Sequence, residues 1–146
     1  GKQQYYGYMQ DDGTIERFYK GRFRTGDLGC LDDDGYLRIT GRAKDMIIRG
    51  GVNISPAEID NILAGHPEIA ETAAIGVPDE IYGEEVVSYV VAMADKSLTR
   101  EDILDHCKGK LPAFRTPKEI VFVDAIPKNQ NGKIDRNALV ELWRLR

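Results

Sequence analysis

Several features that define whole classes of protein are scarce in this sequence. It has two cysteines, Cys30 and Cys107, which lie far apart and lack the spacing of metal ligands. That scarcity argues against a disulfide framework and favours a reduced, cytoplasmic protein. The two histidines, His66 and His106, are also isolated in sequence and form no recognisable catalytic pair, so we expect helix-end or surface positions for them.

Long apolar runs and an excess of basic residues are missing as well. The longest apolar run, Val86–Ala94, is far too short to span a bilayer, so no membrane span is expected. Lys and Arg number 20 against 24 Asp and Glu, a net charge of −4, which makes nucleic acid an unexpected partner. The first ten residues have no apolar signal core and no initiator methionine, which indicates a processed or cut chain.

What is present fits a globular protein. The chain has 146 residues, of which 42% are hydrophobic and 30% charged. This length suffices for one compact domain, or for a modest domain joined to a piece of another. Residues 1–20 are polar and aromatic, with a turn at Asp11–Gly13 and no clear helix or long strand, and are interpreted as the tail of a larger unit.

The second half of the chain alternates between strand and helix patterns. Apolar, β-branched runs predict strands, the second of them central and buried on both faces. Amphipathic runs after Thr99 and Asp135 predict helices, the last with Ala138, Leu139 and Leu142 inward. The predicted fold class is α+β, a small mixed sheet of three to five strands with helices packed on it. The predicted elements are strands Thr72–Val77, Glu85–Met93 and Ile120–Val123, helix Leu98–Lys108 and a last helix after Asp135.

Three stretches carry candidate functional residues, and the first is FRTGDL, Phe23–Leu28. Asp27 stands at a tight turn, where an ionised carboxylate can accept two hydrogen bonds from a vicinal diol such as a ribose. An ordinary turn capped by Asp27 is the structural alternative. A hairpin turn at Asp32–Gly35 and a strand at Tyr36–Thr40 follow.

The second stretch is GRAKDMIIRGGVNISPAEID, residues 41–60. Strand Met46–Ile48, a turn at Gly50-Gly51 and a return strand Val52–Ile54 predict a hairpin, although two bare glycines also allow a thin chain such as pantetheine to slide along the backbone. Ser55, Pro56 and Glu58 predict a helix start with a reciprocal capping box.

The third stretch is PKNQNGKIDR, Pro127–Arg136. Its polar, glycine-containing run predicts a loop of many conformations that holds Lys133 as a mobile point charge, suited to reaching a phosphate or carboxylate. A solvated surface lysine is the alternative. A phosphate loop of the nucleotidase type is excluded, because Pro127 and Ile134 replace its first glycine and its Ser or Thr.

In this order and spacing, the three stretches resemble the adenylate-forming superfamily of acyl-CoA synthetases, peptide-synthetase adenylation domains and luciferases. The resemblance covers nearly the whole chain but only the last part of a full-length enzyme. It implies that residues 1–43 end the large N-terminal adenylation domain as a β-rich tail, and that residues 44–146 form the mobile C-terminal domain.

The resemblance also implies roles for six residues. Asp27 matches the aspartate that binds the ribose hydroxyls of ATP, and Arg42 an arginine near the same nucleotide. Lys44 matches the hinge position, where relatives have Asp or Lys. Gly51, with Gly50 beside it, matches the glycine lining the pantetheine channel. Lys133 matches the lysine that bridges the carboxylate and the α-phosphate during adenylation.

The implied reaction has two halves: ATP and a carboxylic acid give acyl-adenylate and pyrophosphate, and a thiol then displaces AMP. The C-terminal domain rotates between them. ATP with Mg²⁺ and CoA are the implied cofactors, and the segment MIIRGGVNISPAEID is more similar to CoA synthetases than to domains that load a carrier protein. The family's phosphate loop and acyl pocket are absent from these 146 residues, so the fragment alone is expected to be inactive.

Two further expectations concern an alternative function and a modification of Lys133. A stand-alone binding or regulatory module of the same fold is the alternative function, against which Asp27, Gly51 and Lys133 argue together. The exposed, glycine-flanked Lys133 suits acetylation, as in relatives, which would remove its charge and would require an acetyltransferase and a deacetylase as partners.

Overall fold

The structure is a computed structural model that describes residues 7–9, 15–17 and 25–146, with side chains from residue 25 onward. Strands β1 (Gly7–Met9) and β2 (Ile15–Arg17) pair antiparallel, with Tyr8 opposite Glu16. The predicted turn at 11–13, and Phe23 and Arg24 of the FRTGDL stretch, lie outside the described residues.

A second hairpin follows, formed by β3 (Asp27–Leu31) and β4 (Leu37–Arg42). Its turn forms where predicted, because the Asp32 carboxylate accepts a hydrogen bond from the Tyr36 N–H at 2.8 Å and Gly35 takes the left-handed φ of 83°. Strand β4 ends at Arg42, two residues beyond its predicted end at Thr40. It thereby carries Arg42 to the open end of the hairpin, opposite Asp27.

The main sheet has five strands: β5 (Ile47–Arg49), β6 (Val52–Ile54), β7 (Ile69–Asp79), β8 (Gly83–Ala92) and β9 (Glu119–Phe122). Strand β8 is central, as predicted: it pairs antiparallel with β7 along one edge, and on the other with β5 antiparallel and β9 parallel. The predicted mixed sheet is confirmed.

Helices cover both faces of this sheet. Helices α1 (Pro56–Leu63) and α2 (Arg100–Cys107) pack on one face, where Ile59, Leu63 and Ile103 are fully buried. Helix α3 (Arg136–Arg144) packs on the other face, where its Leu139 meets Tyr89 and Val87 of β8. Alternate residues of β8 therefore serve two separate apolar clusters, which explains its continuous apolar sequence. No helix in the described part of the chain is long and apolar enough to cross a membrane.

Three local predictions need correction. Strand β7 does not end before Pro78 but continues to Asp79, with Pro78 opposite Glu84. Because β7 lies at the edge of the described sheet, a residue without an N–H is tolerated there. Leu142, expected inward, is 45% exposed, because the side of α3 that packs on the sheet carries Leu139, Val140 and Trp143.

The predicted capping box at α1 is also wrong. Ser55 is the N-cap, but its hydroxyl donates to the Thr40 carbonyl at 2.6 Å, and Glu58 binds Arg115 at 2.7 Å. By contrast, Thr99 and Asp135 do cap their helices, as predicted, by accepting from the N–H groups of Asp102 and Ala138. At α1, therefore, both side chains of the predicted capping box bind residues that are distant in sequence instead of the N–H groups of the helix start.

The two histidines, isolated in sequence, meet in space. Their rings lie edge to face with centroids 5.0 Å apart, and His106 Nε2 lies 2.9 Å from the Ile62 carbonyl in the last turn of α1. That carbonyl also accepts the Gly65 N–H at 3.2 Å, so the His106 contact at the end of α2 is a second one, and it joins the two helices. The pair is a structural contact, in agreement with the expected helix-end position.

Candidate functional site

A cleft of about 980 Å³ brings together four of the six residues predicted for the site. It lies between the β3–β4 hairpin, the start of α1 and the loop of residues 127–135. Cations and amides predominate among its polar side chains, with three carboxylates facing them. The polar lining includes Asp27, Arg38, Thr40, Arg42, Lys44, Asp45, Glu58, Asn61, Asn129, Lys133 and Arg136.

Asp27 and Arg42 both line this cleft and form an ion pair with each other. They are register partners across the hairpin, and Arg42 Nε lies 3.0 Å from Asp27 Oδ1. The Asp27 N–H donates to the Thr25 hydroxyl at 3.1 Å, which orients the start of the strand. Both side chains remain partly exposed, so the carboxylate can accept hydrogen bonds from a diol while the guanidinium stays beside it.

Lys133 reaches the cleft from a small, closed hairpin. Lys128 bridges to Ile134, and the Asn129 N–H donates to the Lys133 carbonyl at 2.8 Å. The Asn129 side-chain oxygen accepts from the N–H groups of Asn131 and Lys133, and Gly132 takes a φ of 75°. The interpretation of this loop as conformationally free is therefore wrong at the backbone, because Asn129 locks it through an Asx turn.

The side chain of Lys133 is different. It is exposed, and among the described residues its ammonium group has no hydrogen-bond or ion-pair partner. A fixed backbone and an unengaged ammonium group together place a positive charge at the cleft without committing it to a carboxylate of this chain. That arrangement suits an anionic ligand brought in from outside.

The predicted hinge forms a 3₁₀ turn, Ala43–Asp45, between β4 and β5. None of its residues is buried, and the Ala43 N–H donates to the Gly26 carbonyl at 2.8 Å. Lys44 lies in the lining of the cleft. Because the turn carries no core side chain, a change in its backbone angles costs no buried contact of its own; the hinge role of Lys44 stays a prediction.

Gly50 and Gly51 lie outside this cleft. With φ values of 57° and 80° they form the two-residue turn between β5 and β6, which requires two left-handed residues. The turn alone thus accounts for both glycines. Gly50 N–H donates to the Tyr82 carbonyl, while a methyl group added at Gly51 would meet no described atom within 4 Å. The backbone at Gly51 is therefore open to a neighbour.

A second cleft, of about 680 Å³, adjoins that turn through Arg49 and Tyr82. The Arg49 guanidinium lies 4.3 Å from the centre of the Tyr82 ring and binds the buried Glu85 at 2.6 Å. Four cations and one carboxylate line this cleft, and two of the cations also bind carboxylates outside it, Lys118 with Asp79 and Lys108 with Asp105. The ionic groups are Arg49, Arg100, Lys108, Lys118 and Glu85.

One partly buried ion pair at the first cleft was not predicted from the sequence. Arg136, three residues after Lys133, forms a salt bridge with Asp60 of α1, and its Nε donates to the Ala74 carbonyl of β7 at 3.1 Å. Asp60 Oδ1 in turn accepts the Ala74 N–H at 2.6 Å. The partners are 76 residues apart, so no local pattern could pair them; the only sequence signal was a charge of each sign in the motifs.

The burial of Asp60 has a consequence for stability. Burial raises the pKa of this carboxyl to about 6, although Arg136 and the Ala74 N–H both favour its charged form. Because the pKa is higher in the folded state, the folded protein binds more protons between about pH 4 and pH 6, and the free energy of unfolding falls as the pH rises through that window.

We therefore expect wild-type protein to lose about 2 kcal/mol relative to Asp60→Asn between pH 4 and pH 6. Asparagine keeps the shape but cannot titrate. Urea unfolding of both proteins at half-unit pH steps measures the difference. Parallel stability curves for the two would contradict a raised pKa at Asp60.

Comparisons with known proteins agree with this geometry. The profile of the AMP-binding enzyme C-terminal domain family matches residues 58–133, and the chain belongs to that family. Its fold is accordingly the C-terminal domain fold of adenylate-forming enzymes, as the resemblance implied.

Named relatives are CoA ligases. The chain is 46% identical over 134 residues to a sulfoacetate–CoA ligase of Cupriavidus necator, which covers 91% of this chain and 26% of that protein. It is 44% identical over 136 residues to a long-chain fatty acid–CoA ligase of Mycobacterium tuberculosis, with coverages of 93% and 27%. The chain thus spans about a quarter of the length of the curated relatives it matches.

Solved structures give the same result. ATP-bound MatB from Rhodopseudomonas palustris superposes with a TM-score of 0.77 at 37% identity, covering 93% of this chain and 25% of that one. The o-succinylbenzoate CoA synthetase of Bacillus subtilis, in complex with an acyl-adenylate intermediate, superposes with a TM-score of 0.79 at 37% identity, covering 84% and 25%.

Proposed function

We propose that this chain is the C-terminal part of an ATP-dependent acyl-CoA synthetase. The reaction joins a carboxylic acid to CoA through an acyl-adenylate and releases AMP and pyrophosphate. The observation that carries the proposal is the single cleft in which Asp27, Arg42 and Lys133 meet from elements far apart in sequence. A diol-binding carboxylate, a guanidinium and a free ammonium group form one surface that fits a ribose and a phosphate.

In the adenylation half, Asp27 would bind the ribose hydroxyls and Arg42 would hold that carboxylate in place from 3.0 Å. Lys133 would face the carboxylate oxygen of the acid and the α-phosphate, where negative charge concentrates as the oxygen attacks phosphorus and pyrophosphate leaves. A fixed cation aimed at developing charge lowers the barrier of that step. The locked backbone of the Asn129–Lys133 hairpin supports this role, because it costs little reorganisation.

In the thioester half, the CoA thiolate attacks the acyl carbon and AMP leaves. The bare backbone of Gly51 and the cationic cleft beside Arg49 support a channel for pantetheine and an approach for the CoA phosphates. The two devices lie on different loops, and Gly50 and Gly51 lie outside the cleft that contains Lys133, which supports their use in two different orientations of the domain. Rotation about Ala43–Asp45, with Lys44 at its centre, would exchange them.

Because the domain would rotate about Ala43–Asp45, we propose the domain boundary at this turn. Residues 1–43 would complete the large adenylation domain, and residues 44–146 would form the moving domain. The exposed apolar side chains of the β3–β4 hairpin support this, since they need a covering partner. The most exposed are Leu31, Tyr36, Leu37 and Ile39. The acid would be selected by the rest of the full-length protein.

Two other proposals concern the surroundings of the reaction. The described residues contain no group of three His, Cys, Asp or Glu side chains able to hold a metal, so Mg²⁺ would arrive with ATP and be held outside them. Two free cysteines, Cys30 and Cys107, support a reducing, cytoplasmic compartment. Acetylation of the exposed Lys133 would remove its charge and stop adenylation.

The proposal is tested by the full-length protein that carries this chain. Incubated with ATP, Mg²⁺, CoA and a panel of carboxylic acids, it should release AMP and form a thioester with at least one acid, while residues 1–146 alone should release none. Turnover with a carrier-protein thiol but not with CoA would favour the carrier-loading alternative. Adenylate formation by residues 1–146 alone would contradict the division of labour.

A further inference from the structure

The hairpin that carries Lys133 is attached to the rest of the domain at its base, where Ile126 and Ile134 pack against the apolar cluster of α3 and β8. The Asp135 N–H donates to the Pro127 carbonyl at 2.9 Å and closes the hairpin base. Beyond it, the side chain of Arg136 crosses to β7 and α1. The other ionic contact, Lys128 with Glu71 at 2.7 Å, is nearly half exposed at both partners and therefore weak.

Arg136 bonds through two nitrogens of its guanidinium group. Its Nε donates to the Ala74 carbonyl, its terminal nitrogen binds Asp60 Oδ2, and Asp60 Oδ1 accepts the Ala74 N–H. The three groups form a closed ring of hydrogen bonds between α3, α1 and β7. Both charged side chains are mostly buried, 24% exposed for Arg136 and 14% for Asp60, so solvent weakens the ring little.

This ring lies at the edge of the cleft and not in a remote part of the core. Arg136 lines the same cleft as Lys133, and Asn61, next to Asp60, lines it from α1. The start of α1 is held against the hairpin of Asp27 and Arg42, since Ser55 donates to the Thr40 carbonyl. A continuous set of contacts thus runs from the β3–β4 hairpin through α1 to the Lys133 loop.

We infer that Asp60 and Arg136 are positioning residues for Lys133, which set where its ammonium group stands in the cleft during the adenylation half. The inference rests on the function proposed above. The pair does not touch the reacting atoms; it acts by fixing the loop on α1 and β7. Displacements of about 1 Å in a catalytic group can cost on the order of 10²-fold in rate. Loss of a buried ion pair three residues from Lys133 is therefore expected to lower the rate of adenylation.

The experiment uses the full-length protein and the variants Arg136→Lys and Asp60→Asn. Lysine keeps the charge of Arg136 but loses the fork that reaches Ala74 and Asp60 together. Adenylation is measured by pyrophosphate exchange, and thioester formation is measured separately from supplied acyl-AMP and CoA. We expect kcat for adenylation to fall about 10- to 100-fold in both variants, with thioester formation unchanged. Glu71→Gln, which breaks the exposed bridge at the same loop, should leave both halves unchanged.

Combining each variant with Lys133→Ala separates positioning from general damage. If the pair acts through Lys133, Arg136→Lys should cause no further loss of adenylation once Lys133 is gone. Equal losses in both half-reactions, or an additional loss in the Lys133→Ala background, would show a merely structural role. Wild-type adenylation in both anchor variants would also overturn the inference. If Lys133→Ala itself leaves adenylation unchanged, the proposed function of Lys133 is wrong. This outcome differs from a failure of the positioning inference alone, in which Lys133→Ala lowers adenylation but the Asp60 and Arg136 variants do not.

Discussion

Replacing Lys133 by alanine in the full-length protein should lower the rate of adenylation on the order of 10²- to 10³-fold. Thioester formation from supplied acyl-AMP should stay near the wild-type rate, because the proposed thioester channel lies at a different loop. The expected loss is large because the ammonium group has no competing partner among the described residues, so its charge is available to the transition state. Pyrophosphate exchange and thioester formation are measured separately on one enzyme preparation.

Lys128→Ala is the matched control for this prediction. Lys128 stands on the same hairpin and carries the same charge, but it binds Glu71 at 2.7 Å and does not line the cleft. Its loss should change adenylation less than about threefold, since exposed ion pairs contribute little. Loss of the thioester half with adenylation intact in Lys133→Ala would reverse the two assigned roles.

Gly51→Leu should have the opposite effect, with thioester formation strongly reduced and adenylation retained. A side chain at Gly51 meets no described atom of this chain, so its bulk would project into the space where we propose that pantetheine passes. We expect a loss of about 10²-fold, on the scale of a misplaced reacting group. The same pair of half-reaction assays reports the result.

The control has to separate bulk from backbone strain, since Gly51 has a φ of 80° and any L side chain there costs about 1–2 kcal/mol. Gly35 offers that control: it stands in a hairpin turn with a φ of 83° and equally open surroundings. Gly35→Leu should destabilise to a similar extent and leave the thioester half unchanged. Equal thioester losses in the two variants would mean that strain, and not a blocked channel, is responsible.

Local patterns predicted the tight turns and helix caps because the residues that form them are neighbours in sequence, as at Gly50-Gly51, Thr99 and Asp135. Strand β8 was predictable for another reason: its ladder partners are distant, but its continuous apolar sequence indicates burial on both faces. Predictions failed where a distant group took over a local one. At α1, Thr40 took the Ser55 hydroxyl and Arg115 took Glu58, and neither partner is visible from the capping motif.

The candidate site shows the same division. The sequence by itself supplied the candidates: the turn and loop motifs singled out Asp27 and Lys133, and the resemblance to adenylate-forming enzymes added Arg42. Only the tertiary structure decided that they share one cleft and that Asp60 holds Arg136. The physical reason is that side-chain chemistry is a property of each residue, whereas desolvation and contact between residues 76 apart exist only after the chain has packed.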